Sequence, residues 1–194
     1  RTMAAHGSPE GKDGLAVHMY ACNSSMRERT GVAGEAMVNA DGDFLIVPQS
    51  GSLIVHTELG VLKVEPNEIV VIPRGFRFAI DLEEGVGGEE GATASGYVLE
   101  VFKGHFELPA LGAIGANGLA QKRDFLYPSA CYEDMDGSWK LTHKYSGRLY
   151  ESDLDHSPFD VVAWHGNYSP FKYDLRKFCV INSVSVDHLD PSIF

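Results

Sequence analysis

Cysteine is scarce in this 194-residue chain, with only Cys22, Cys131 and Cys179, far apart and odd in number. That excludes a disulfide framework and a zinc-ligand spacing, and it predicts reduced thiols in a reducing compartment. Positive charge is short as well: 16 Lys and Arg against 27 Asp and Glu leave a formal charge of −11. A nucleic-acid surface needs dense basic residues to displace counterions, so no nucleic-acid partner is expected. No apolar run approaches the roughly 20 residues of a membrane helix, and no membrane partner is expected. Helical periodicity is missing throughout. Gly85–Gly88 lacks the Lys-Ser/Thr of a phosphate loop, and Ser8 and Ser24-Ser25 lack the glycine setting of a nucleophile elbow.

What is present is an ordinary globular composition, 44% apolar and 22% charged, in a length that holds one well-packed domain or one domain and part of another. The chain opens at Arg1 without an initiator Met and stops after PSIF, and both ends are expected to be cuts through a longer protein. The triplets Asn23-Ser24-Ser25 and Asn167-Tyr168-Ser169 match the glycosylation acceptor pattern, a match that arises often by chance.

Residues to about Asp13 are small and polar and are expected to be loop. Leu15–Cys22 is a strand candidate, and Arg27–Glu35, broken by glycine, is expected to be loop. From Asp43 the texture is β: DFLIVPQ, SLIVHTEL, VLKVEP, EIVVIP and FRFAIDL, punctuated at Gly51, Gly60, Pro66-Asn67 and Pro73-Arg74-Gly75. Turns this short predict antiparallel hairpins in a β-sandwich or jelly roll. Leu82–Ser95, with four glutamates among glycines, reads as a solvated loop. Strands follow at Gly96–Lys103, over Trp139–Tyr150 with a turn near Ser146-Gly147, and at Phe178–Val186.

Eight histidines are the candidate chemistry. His105-Phe106-Glu107 is a literal H-x-E, and on a strand the two side chains would share a face. With His165 and Arg176 it could form the H-x-E…H…R pattern of 2-oxoglutarate-dependent oxygenases, whose iron takes two histidines and a carboxylate. The alternative is that His105 and His165 hydrogen-bond within loops. His188 lies between Asp187 and Asp190 at the end of an apolar strand. Flanking carboxylates can fix its tautomer and raise its basicity, as a general base needs; equally, they can satisfy a strand-end histidine that does no chemistry.

Asn67–Phe78 reads NEIVVIPRGFRF. It follows the second cupin motif, G-x5-P-x-G-x2-H, with Asn67 at the glycine, Pro73 and Gly75 in place, and Phe78 where a metal-binding histidine would stand. Gly51 precedes it at a spacing typical of compact cupins. The first motif would put a glutamate at Phe44 and two histidines around Met37–Ala40, where the residues are Met37, Val38, Asn39 and Ala40. None of these side chains offers a metal the lone pair of a histidine or carboxylate. The strands and turns of a cupin are predicted, with a degenerate metal site.

Four blocks carry a broader resemblance: Ala40–Phe78; GHFELPALGAIGANGLAQKRDFLYP (Gly104–Pro128); SPFDVVAWHGNYSPFKYDL (Ser157–Leu175); and INSVSVDHLDPSIF (Ile181–Phe194). In glycine positions, WHGNY and DHxDPSIF, the chain resembles the homogentisate 1,2-dioxygenases over most of its length. Thr30–Ala36 and Glu83–Ser95 look like insertions. The resemblance implies a mainly β protein: an N-terminal metal-free cupin-like domain over 1–175, and over 176–194 the first strand or strands of a second, catalytic cupin domain. It implies an extradiol-type, Fe(II)- and O2-dependent dioxygenase that opens homogentisate to maleylacetoacetate in tyrosine and phenylalanine catabolism. It also implies a cytoplasmic homo-hexamer built from trimers. The iron would be bound by residues downstream of DHxDPSIF, outside this chain, so the chain alone is expected to be inactive. His188 matches the family's acceptor for the substrate's ring-hydroxyl proton, and the H-x-E at His105 falls in a segment where the family binds no iron. The alternative is a metal-free cupin acting as a scaffold or oligomerisation module.

Overall fold

A computed structural model describes residues 1–28, 31–83, 92–108, 120–160 and 166–178. These residues form thirteen strands, in chain order β1 (Thr2–Ser8), β2 (Asp13–Cys22), β3 (Gly34–Asn39), β4 (Asp43–Ser50), β5 (Leu53–Thr57), β6 (Gly60–Val64), β7 (Glu68–Ile72), β8 (Arg77–Leu82), β9 (Ala94–Val101), β10 (Phe125–Leu126), β11 (Asp136–Tyr145), β12 (Arg148–His156) and β13 (Phe171–Asp174). Two sheets face each other, one ordered β1-β2-β9-β4-β7-β13-β10 and the other β12-β11-β3-β8-β5-β6. The cupin-like β-sandwich expected from the sequence is the fold of this chain. Leu53, Val55, Val64 and Val70 are fully buried between the sheets and Phe44, Ile46, Ile72 and Phe78 join them in one core cluster.

Alternation explains the central strands. β5 buries Leu53, Val55 and Thr57 and half-exposes Ile54 and His56 between them, the period of a strand with one face in the core. The hairpin expectation is corrected, however. Of the runs between Asp43 and Leu82, only β5 and β6 pair with their chain neighbour. At Gly51, at Pro66-Asn67 and at Pro73–Phe76 the chain crosses from one sheet to the other, because β4 and β7 lie in one sheet and β5, β6 and β8 in the other. Gly51, Asn67 and Gly75 supply the left-handed backbone these crossings require, at φ +76°, +72° and +93°. A Cβ on Gly51 would stand 2.1 Å from the Thr93 carbonyl oxygen. Asn67 does the work of the motif glycine because Asn tolerates this region better than other side chains.

Two further expectations change. The N-terminal residues are not loop up to Asp13: Thr2–Ser8 pairs antiparallel with β2. Its side chains are exposed throughout, so backbone pairing, not burial, makes it a strand. Gly34 and Glu35, expected in a loop, begin β3, which runs parallel to β11 and antiparallel to β8. Gly34 is needed there, because a Cβ would lie 2.5 Å from the Trp139 ring. After β13 a single 3-10 turn, Leu175–Lys177, is capped by Asp174, whose carboxylate accepts from Arg176 N at 3.0 Å. The strand expected at Phe178–Val186 and the second-domain segment ending at Phe194 fall almost entirely outside the described residues.

Candidate functional site

Met37, Phe44 and Phe78, read from the sequence as emptied ligand positions, converge in space. All three line one cavity of about 550 Å3 between the sheets. Phe44 and Phe78 meet edge to face, ring centroids 6.2 Å apart. Tyr20 and Cys22 from β2, Ile46 from β4, Ile80 from β8 and Val98 from β9 continue the apolar wall. Strand pairing sets this arrangement: Met37 stands opposite Phe78, and Val98 opposite Ile46 and His18. The cavity occupies the place of a cupin metal pocket, but these residues do not fit a metal. At the motif positions Met37, Phe44 and Phe78 the side chains carry hydrocarbon or a thioether where oxygen and imidazole donors are needed. Among the described residues no group of three His, Cys, Asp or Glu is placed to hold a metal ion.

One side of the cavity is charged, and here sequence reasoning missed the residues. His18 and Lys144 line it. Both bind Glu100, which is fully buried: Lys144 Nζ donates to Glu100 Oε1 at 2.6 Å, and His18 Nε2 stands 3.1 Å from Oε2. Asn39 Nδ2 donates to Glu100 Oε1 at 2.7 Å. Lys144 also donates to buried Asp41 at 2.8 Å, and Asp41 accepts from the amides of Ser146 and Gly147 at 2.6 and 2.9 Å. Burial alone would raise the Asp41 carboxyl pKa, but the Lys144 hydrogen bond and the two amides outweigh it and hold it below the usual range. With the proton on Nε2, His18 donates to Glu100 and accepts from Thr2 Oγ1 at 3.0 Å through Nδ1. Every carboxylate oxygen in this group has a donor.

Two other wall residues are held toward their protonated forms. Burial, with Cys22 nearby, pushes the Tyr20 hydroxyl up to about 12; that hydroxyl is buried without a hydrogen-bond partner among the described residues. Burial likewise raises the Cys22 thiol, against the lowering effect of its hydrogen bond to the Ala94 carbonyl. A thiol held protonated is a poor nucleophile.

His56, His105, His143 and His156 make bonds within the fold. His105 Nδ1 lies 3.1 and 3.2 Å from the two oxygens of buried Asp43, which also accepts from the backbone of Arg74 and Phe106 at 2.8 and 3.0 Å. The segment after β9 is loop, so His105 and Glu107 do not share a strand face, and Glu107 is exposed. The loop alternative for His105 is the one observed; His165 lies outside the described residues. His56 sits in an ion cluster with Arg27, Asp81 and Glu133. His143 bonds Ser152, and His156 bonds the Ser157 carbonyl. His188 lies outside the described residues.

Comparison with known proteins adds two findings. The family described as homogentisate 1,2-dioxygenase N-terminal matches residues 1–175. Among solved structures, protein NMB1881 from Neisseria meningitidis superposes with a TM-score of 0.37 at 13% identity, covering 52% of this chain and 81% of that one. ToxT from Vibrio cholerae, with a bound unsaturated fatty acid, superposes with a TM-score of 0.34 at 14% identity, covering 61% of this chain and 39% of that one. Superpositions this loose carry no argument about function.

Proposed function

The chain belongs to the homogentisate 1,2-dioxygenase N-terminal family, and from that premise we propose that it is the metal-free scaffold half of a ring-cleaving dioxygenase. Residues 1–175 are the N-terminal cupin-like domain, and residues 176–194 lead into a catalytic cupin domain. The whole protein uses Fe(II) and O2 to open homogentisate to maleylacetoacetate, in the cytoplasm, as a hexamer built from trimers. The observation that supports this most is the chemistry of the cavity wall: Met37, Phe44 and Phe78 line the place where a cupin keeps its ligands. The metal then has to be held elsewhere, by residues downstream of DHxDPSIF.

Within this chain the proposed catalytic residue is His188, which takes the proton of a substrate ring hydroxyl. Asp187 and Asp190 beside it favour its protonated form once the proton has moved. Residues 1–194 alone are inactive on this reading. The test is oxygen uptake with homogentisate after anaerobic Fe(II) loading of the chain. No uptake is expected, and iron-dependent turnover would overturn the placement of the metal. The same apolar wall also suits a metal-free oligomerisation module. A His-x5-Glu and a later histidine encoded beyond Phe194 favour the enzyme; a stop codon there favours the module.

A further inference from the structure

The cavity is hollow as well as stripped of metal ligands. The space between the sheets opens to solvent, and Phe44 and Phe78 do not fill it: about 550 Å3 stays accessible to a guest. That volume lies within the range of small-molecule sites, which are mostly apolar with a few placed polar groups. Met26 and Met37 in the wall supply flexible, polarizable surface that adapts to a guest.

The charges beside it select the guest. The Lys144 ammonium is already held by two carboxyl groups, those of Asp41 and Glu100. A carboxylate or sulfonate entering the cavity meets a cation whose bonds to carboxylates are already made. An uncharged molecule meets no such penalty. An ammonium has three N–H donors, and Lys144 directs two of them at Asp41 and Glu100. The Phe102 ring lies 5.6 Å from the same nitrogen. Lys144, which has one N–H beyond those two, and Ser24 at the exposed side of the wall both line the cavity, and each can donate to a carbonyl, ether or hydroxyl oxygen of a guest.

We propose that the cavity between the sheets binds an uncharged, largely apolar small molecule that presents one hydrogen-bond acceptor to Lys144. This goes beyond the scaffold role, and it holds or fails whether or not the whole protein cleaves homogentisate.

Titration of the full chain with Nile red, uncharged and carrying a carbonyl, tests it. The expected result is saturable fluorescence enhancement at one dye per chain. The anionic dye 8-anilinonaphthalene-1-sulfonate should bind at least about tenfold more weakly. Val98→Trp places an indole in the cavity and should weaken Nile red at least about tenfold, with the circular dichroism spectrum retained. Should that variant not fold, Met37→Trp fills the same space from a more flexible position and carries the same expectation. Absence of saturable Nile red binding, equal or tighter binding of the anionic dye, or binding unchanged by a folded filling variant would each overturn the proposal.

Discussion

Single residues decide whether the pocket is a metal site and how tightly the chain turns around it. Phe78 is 4% exposed, in the core, at the end of a motif whose backbone is otherwise intact. The turns around it take their left-handed geometry from Gly51, Asn67 and Gly75. Asn67→Gly is expected to leave stability unchanged or raise it slightly, whereas Asn67→Val should cost about 1–2 kcal/mol, because a β-branched side chain resists positive φ. Urea midpoints of the two variants check this. Tyr20 offers a second test. Its hydroxyl is buried without a partner among the described residues, and an unmade hydrogen bond costs about 1–3 kcal/mol. Tyr20→Phe should therefore keep or increase the unfolding free energy; a clear loss would show that the hydroxyl has a partner after all.

At the level of elements, β2, β9, β11 and the turn before β4 are tied by one charged group. Lys144 of β11 is the only cation within hydrogen-bond reach of the Asp41 and Glu100 carboxylates among the described residues. Lys144→Met removes the ammonium from two buried carboxylates, leaving them only Asn39, His18 and the backbone amides, and should destabilise the chain by about 3–5 kcal/mol. The pH dependence follows from Asp41, whose folded pKa is lowered. A lowered carboxylate contributes stability that is full above its unfolded pKa, about 4, and is lost as pH falls through the folded value. Thermal melts should therefore show Tm dropping below about pH 4, and Lys144→Met should flatten that acid limb. This group was only partly legible in the sequence. Glu100 interrupting the apolar run GYVLEVFK was its one visible sign, while its partners His18 and Lys144 lie 82 and 44 residues away. The runs from β4 to β9 were readable because burial imposes their pattern. β1 was not, since exposed TMAAHGS carries no such pattern. Neither was the parallel pairing of β3 with β11, which joins segments about a hundred residues apart. Gly34→Ala tests that pairing. A Cβ against Trp139 should cost about 1–3 kcal/mol of overpacking, read as a lower urea midpoint with a changed tryptophan emission.

For the whole molecule, the candidate metal positions were legible because a cupin turn is a local motif, and Met37, Phe44 and Phe78 do meet at one cavity. That the cavity stays open was not legible, since volume depends on how two sheets pack. The proposed catalytic step belongs to the complete protein, where His188→Asn should lower kcat by about 10²–10⁴-fold if it is the proton acceptor while leaving iron content unchanged. The central claim is that this cupin-like domain holds no metal of its own. It is tested most directly by loading residues 1–194 with Fe(II) under anaerobic conditions, desalting, and measuring iron per chain. Trace iron only is expected; one equivalent retained per chain would show a metal site within residues 1–194.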